Sequence, residues 1–172
     1  MRTSTAAAGS AAFFVIAPGT VVGVVPWLLT RWEIPDSTQA WQVGLGTLLI
    51  VAGLIPVVHA FAQFAKAAGT PMPLAPTQRL VVNGSNRFVR NPMYLGLLIA
   101  IVGQALLFGS LGLLVYAAVF WAVTATFVRL YEEPTLARQY GTQYEEYRRN
   151  VRAWLPLLRP WDPRLPGRSG SC

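Results

Sequence analysis

The chain has 172 residues, 53% of them hydrophobic and only 12% charged, with a net charge of +7. Such a composition excludes an ordinary soluble domain and points to a small integral membrane protein. In a chain this apolar the positive charge is matched to anionic lipid headgroups rather than to nucleic acid, and the single cysteine, Cys172, excludes an intrachain disulfide.

Four apolar stretches approach the roughly 20 residues that a helix needs to cross a bilayer, at residues 11–30, 41–64, 92–108 and 111–128. The first contains Pro18, Gly19, Gly23 and Pro26, which predicts a kinked helix with Gly19 and Gly23 spaced for close packing. Arg2 ahead of an apolar run also suits a signal peptide. The small-residue stretch Ala6-Ala7-Ala8 precedes the run instead of following it, so the segment is read as an anchor.

The second stretch opens with Gly44-Leu45-Gly46, a fragment of a phosphate-cradling loop that reads better as a packing face. Its lone His59 has no Cys, Asp or second His at ligand spacing, which argues against a metal site. The connector, residues 65–91, is broken by Gly69, Pro71, Pro73, Pro76 and Gly84, and is therefore expected to be irregular and able to fold over a site.

Asn91 before Pro92 is a helix-start signal, since Asn can cap free amides and Pro suits the first helical position. Tyr94 follows on the same face, and Gly96, Ala100 and Gly103 make a small-residue face for tight packing. After an uncharged turn at Gly109-Ser110 and the fourth stretch comes the tail, residues 129–172. Pro134 there is expected to start a new helix, and over residues 135–151 Leu136, Tyr140, Tyr144, Tyr147 and Val151 recur at spacings of three and four. This predicts an amphipathic helix lying on the membrane surface.

Lys and Arg concentrate in the connector (Lys66, Arg79, Arg87, Arg90) and in the tail. By the positive-inside rule both are cytoplasmic. The expected fold is thus all-α: a polytopic membrane protein forming one domain, with about four transmembrane helices, a C-terminal amphipathic cytoplasmic helix and both termini in the cytoplasm of a plasma or inner membrane.

The polar residues that stand out are Arg90, Asn91 and Tyr94 at one end of the third stretch and Glu132-Glu133 just past the fourth. Counting outward from the hairpin turn at about 1.5 Å per residue sets Asn91 opposite Leu130, so the glutamates return to the same depth. Two carboxylates at a helix C-terminus oppose the macrodipole and call for a cationic partner, either Arg90, Arg87 or a cationic ligand. A ligand with an ammonium and a sulfonium suits the carboxylates, while its carboxylate and hydroxyls suit Arg90, the capping amides and Asn91. S-adenosylmethionine has those groups, and methyl transfer from it needs alignment and exclusion of water more than an acid–base dyad.

The run Arg87-Phe88-Val89-Arg90-Asn91-Pro92-Met93-Tyr94-Leu95-Gly96, with Glu132-Glu133, Leu136, Tyr140-Gly141, Tyr144, Tyr147 and Val151, resembles the isoprenylcysteine carboxyl methyltransferase and phospholipid methyltransferase superfamily of membrane enzymes. The resemblance covers about residues 80–156. It implies that Arg90, Asn91, Pro92, Tyr94, Glu132 and Glu133 contact S-adenosylmethionine in a pocket closed by the connector and the C-terminal helix and open laterally to lipid. It further implies that Arg148, Arg149 and Arg152 meet an anionic group of the lipophilic substrate.

Two departures stand out. Asn91 replaces the family's signature His, which keeps hydrogen bonding but excludes a role for imidazole. Gly84-Ser85-Asn86 stands where many relatives have Gly-Pro-Tyr. The expected activity is methyl transfer to an isoprenylcysteine-like carboxyl or thiol compound or to a phospholipid amine; the rival readings are a membrane reductase on a related helical scaffold and a non-catalytic membrane scaffold.

Overall fold

The computed structural model describes residues 16–68, 80, 82 and 84–162. Residues 11–15 of the first predicted span, most of the connector and the tail beyond Asp162 lie outside the described residues. Among those described, every regular element is helical: α1 (Ile16–Thr30), α2 (Ala40–Ala68), α3 (Pro92–Leu107), α4 (Leu111–Phe127), α5 (Glu133–Tyr140) and α6 (Thr142–Asn150), with a short 3-10 turn at Gly84–Arg87. They group into two compact units, one formed by Met1–Pro73 with Met93–Ala125 and the other by Leu74–Pro92 with Thr126–Cys172.

Among the described residues two stretches are long and apolar enough to cross a membrane, Ala40–His59 and Leu111–Tyr140; Ile16–Thr30 and Pro92–Leu107 are apolar but shorter. With 16 residues, α3 rises about 24 Å, short of the roughly 30 Å hydrocarbon core. α2 exposes Leu48, Val51, Ile55 and Val58, and α4 exposes Val115, Val119 and Val123. Apolar faces of this extent suit lipid as solvent.

Backbone proximity joins α2 to α3. A Cβ placed on Gly46 would lie 2.8 Å from the Gly103 carbonyl oxygen, and one on Gly103 would lie 2.7 Å from that of Gly46. Gly53 and Gly96 meet each other's carbonyls more tightly still. The small-residue face of α3 therefore does the packing expected of it. The pair Gly19 and Gly23, read from sequence as a packing site, has nothing within 4 Å of either Cβ position among the described residues.

The kink predicted for α1 takes the form of a π-turn at Thr20–Val24, in which the Val25 amide donates to the Thr20 carbonyl. Pro26 has no N–H, so one helical donor is missing for the carbonyls of Val21 and Val22, five and four residues before it. Other helices supply replacements: the Tyr116 hydroxyl donates to Val21 O at 3.1 Å and the Gln104 amide to Val22 O at 2.7 Å. Gln104 is itself buried. Gln104→Leu is expected to lower stability by about 1 kcal/mol, since an interhelical bond of this kind contributes about that much; thermal unfolding in detergent measures it.

α3 ends in a tight reversal. Gly109, at φ +56°, takes the left-handed position, with Ser110 N–H donating to Ala105 O and Gly109 N–H to Leu106 O. The Ser110 hydroxyl then accepts from Leu113 N–H at 3.3 Å and caps α4.

In the second unit the structure departs from the sequence reading in two ways. Pro134 does not start a new helix: the chain stays helical from Leu111 to Tyr140 through a π-turn at Val128–Glu132, so Glu132 and Glu133 lie mid-helix and not at a C-terminus. The amphipathic helix expected over residues 135–151 is broken by Gly141, whose φ of 52° and ψ of −126° suit only glycine, into α5 and α6. Its apolar stripe does not form a membrane-facing surface. Tyr144, Tyr147 and Val151 are buried with Val82, packed by Leu80, Leu136, Ala137, Tyr140, Leu157 and Trp161. The same spacing suits either partner, and the returning tail provides a protein one.

Candidate functional site

The site lies within the second unit and is assembled from three short pieces of chain. The tail runs back along residues 87–90: Arg90 N–H donates to Arg152 O at 2.9 Å, Leu157 N–H to Phe88 O at 2.8 Å and Trp161 N–H to Arg87 O at 2.9 Å. Side chains strengthen this pairing, with Arg87 Nε donating to Trp161 O at 2.8 Å and Tyr147 OH to Asn86 O at 2.7 Å. Asn91, buried ahead of α3, donates its amide to Ala153 O at 3.2 Å. In this chain the residue at the signature His position therefore holds the tail.

At the centre, Arg90 Nη1 meets Glu133 Oε1 at 2.8 Å, with 11% of each side chain exposed. An ion pair this short and this buried has strong hydrogen bonding but is costly to break. Glu133 Oε2 lies 3.7 Å from Arg148 Nη2, and Arg90 Nη1 also donates to the Tyr144 hydroxyl at 3.3 Å. Burial pushes the Tyr144 and Tyr147 phenols above their usual range, against the lowering pull of Arg90, so both stay protonated donors at physiological pH.

Arg90, Asn91, Val128, Glu132, Glu133, Leu136, Tyr144 and Tyr147 enclose a cavity of about 30 Å³. It has room for a water or two, far below the 300 Å³ or more of a nucleoside-sized pocket. Two of its lining side chains carry buried polar atoms without a partner among the described residues: Arg90 Nε, a donor, and Glu132 Oε2, an acceptor. Leaving such atoms unpaired costs about 1–3 kcal/mol each or more. An α-amino-acid group answers both, its carboxylate accepting from Arg90 Nε and its ammonium donating to Glu132 Oε2. S-adenosylmethionine carries that group, so the polar lining suits its amino-acid end.

Of the residues singled out from sequence, the structure brings together Arg90, Asn91, Glu132 and Glu133, with Arg148 at the rim. Pro92 opens α3, and Tyr94 lies on its first turn, in the first unit. Arg149 turns outward to Glu145 at 3.9 Å, and the Arg152 side chain is exposed while its backbone holds Arg90. Tyr144 and Tyr147 were visible only as members of an apolar stripe. Their hydroxyls, on a stripe that is otherwise apolar, were the signal that it faces a polar site.

The family model described as phospholipid methyltransferase matches residues 41–143. A probable protein-S-isoprenylcysteine O-methyltransferase of Oryza sativa subsp. indica is 35% identical over 130 residues, which are 72% of this chain and 66% of the rice protein. Protein-S-isoprenylcysteine O-methyltransferase B of Arabidopsis thaliana is 35% identical over 147 residues, 80% of this chain and 72% of its own length. The Schizosaccharomyces pombe protein-S-isoprenylcysteine O-methyltransferase is 32% identical over 80 residues, 46% of this chain and 34% of its own. The chain thus spans just under two thirds of the rice relative's length. No solved structure matches it significantly. The matched region includes the Arg90-to-Tyr94 element and the Glu132-Glu133 pair, and the chain belongs to the phospholipid methyltransferase family.

Proposed function

We propose that this protein is an integral-membrane methyltransferase that uses S-adenosylmethionine to methylate a lipophilic acceptor, with the carboxyl group of an isoprenylated cysteine as the favoured class. The observation that carries this reading is the pair of unpartnered buried atoms, Arg90 Nε and Glu132 Oε2, lining one cavity beside the Arg90–Glu133 ion pair. The names of the rice and Arabidopsis relatives favour the acceptor. A single membrane domain of four spans, with both termini, the connector and the site on the cytoplasmic side, belongs to the same proposal and rests on the placement of Lys and Arg.

When bound, the cofactor supplies a methyl group on a sulfonium, whose positive charge is dispersed as an in-line displacement proceeds. The chain's own residues bind and align. Glu132 takes the ammonium, Arg90 takes the carboxylate, and Glu133 holds the Arg90 guanidinium in place while keeping the site's net charge near neutral. Asn91 and Pro92 complete the cofactor set. Arg148, half exposed at the rim with Glu133, is placed to meet an anionic group of the acceptor, with Arg152 and Arg149 further out. A carboxylate acceptor is already deprotonated near neutral pH and needs no general base. Leu136, Tyr144 and Tyr147 exclude water, and they must part to admit a ligand larger than the closed cavity.

Calorimetry with S-adenosylmethionine on the purified full-length protein tests the reading. Saturable binding is expected, and its absence would defeat the proposal. Incubation with methyl-labelled cofactor and either a farnesylated cysteine compound or a lipid extract then identifies the acceptor. A base-labile methyl ester is expected; label on a phospholipid headgroup would replace the carboxyl acceptor with an amine.

A further inference from the structure

Glu133 reaches the cavity because of a local departure from α-helical geometry. At the π-turn Val128–Glu132 the Glu133 amide donates to the Val128 carbonyl, five residues back. Val128 and Glu133 are both buried and line the same cavity. In an α-helix, residues five apart point about 140° away from one another, so the two could not share a wall. The extra residue of the π-turn removes most of that angle.

Two residues past the turn stands Pro134. In α-helical register its ring would clash with the Leu130 carbonyl, and it has no N–H to donate. A wide turn relieves the clash at the expense of weaker backbone bonding, and the Thr135 hydroxyl compensates in part by donating to Tyr131 O at 2.6 Å. The first unit contains the same construction independently: the π-turn Thr20–Val24, the Val25 amide on Thr20 O, and Pro26 two residues past the turn. The arrangement recurs in two unrelated sequences, whereas Pro56 sits inside α2 with no such turn, so a proline favours the π-turn without by itself requiring it.

We infer that Pro134 is a positioning residue: by locking the π-turn it holds Glu133 over Val128 and, with Glu132, against the cavity. The functional half of this inference rests on the cofactor reading above, and the structural half does not. With Pro134→Ala the α-register becomes available, Glu133 rotates off the wall, and affinity for S-adenosylmethionine is expected to fall about tenfold or more. Deleting Leu130, which is 72% exposed, in the Pro134→Ala background removes the extra residue and returns Val128 and Glu133 to a four-residue spacing on one face. That deletion is expected to restore the affinity.

The experiment uses the full-length protein in detergent, comparing wild type, Pro134→Ala, the Leu130 deletion alone and the combination by calorimetry and thermal unfolding. The combination is expected to melt near wild type, whereas the deletion alone, which presses Pro134 into α-register, is expected to melt clearly lower. Unchanged affinity in Pro134→Ala, or no recovery on deletion, would overturn the inference. If wild type itself fails to bind, the cofactor reading falls instead, and the order of melting temperatures alone decides whether Pro134 locks the turn.

Discussion

Glu133→Gln is expected to destabilise the protein by about 3 kcal/mol even without ligand and to weaken binding of S-adenosylmethionine. Glu133 is the shared carboxylate of the site: one oxygen meets Arg90 at 2.8 Å and the other lies 3.7 Å from Arg148. Glutamine keeps an acceptor for Arg90 but removes the charge, leaving a guanidinium that is 11% exposed without compensation. Breaking a buried ion pair by removing one partner costs about 3–5 kcal/mol of folding stability, and a guanidinium no longer fixed by Glu133 holds its Nε less firmly toward the cofactor carboxylate. Glu132→Gln provides the contrast. Its Oε2 has no partner without ligand, so that substitution is expected to leave the melting temperature nearly unchanged while still weakening binding. Calorimetry and thermal unfolding on both variants separate the two roles; equal loss of stability in both would contradict the assignment.

The second large effect concerns the scaffold. Gly53→Ala is expected to destabilise the first unit by about 3 kcal/mol, the upper end of what overpacking costs. A methyl at Gly53 would run into the Gly96 carbonyl and the Ala100 amide, which are backbone atoms unable to swing aside. Gly96→Ala meets the Gly53 carbonyl in the same way and is expected to match it. Gly44→Ala is the control: nothing lies within 4 Å of its Cβ position, so helix propensity alone is expected to stabilise it slightly. Thermal unfolding of the three variants in detergent measures the difference, and an equal effect at Gly44 and Gly53 would contradict backbone packing between α2 and α3.

The apolar helices, the small-residue face at Gly96, Ala100 and Gly103, and the Arg90, Asn91, Glu132 and Glu133 constellation were all legible in the sequence, since each is carried by residue type and short-range spacing. Gly46 packs as its sequence reading expected, but that Gly53 would pack and that Gly19 and Gly23 would meet nothing among the described residues was not legible. Small residues permit close approach in either place, and only the positions of neighbouring helices select one. The role of Asn91 was also hidden, because Ala153, whose carbonyl it meets, lies 62 residues away.

The sequence by itself determined an all-helical, lipid-compatible chain and the charges that would meet at one place, because hydrophobic length, helix-start residues and spacing along a helix are local properties. The tertiary structure alone decided how those charges are held. The stripe read as a membrane face turned inward because the tail from Arg152 to Trp161 folds back along residues 87–90 and gives Tyr144, Tyr147 and Val151 a core to fill. The two glutamates came to lie mid-helix beside a closed cavity because Pro134 is accommodated by one extra residue in the turn before it rather than by a break. A hydrophobic period states which residues share a face, and a proline states that a helical bond is lost; what covers the face and how the loss is absorbed depend on contacts between residues far apart in the chain.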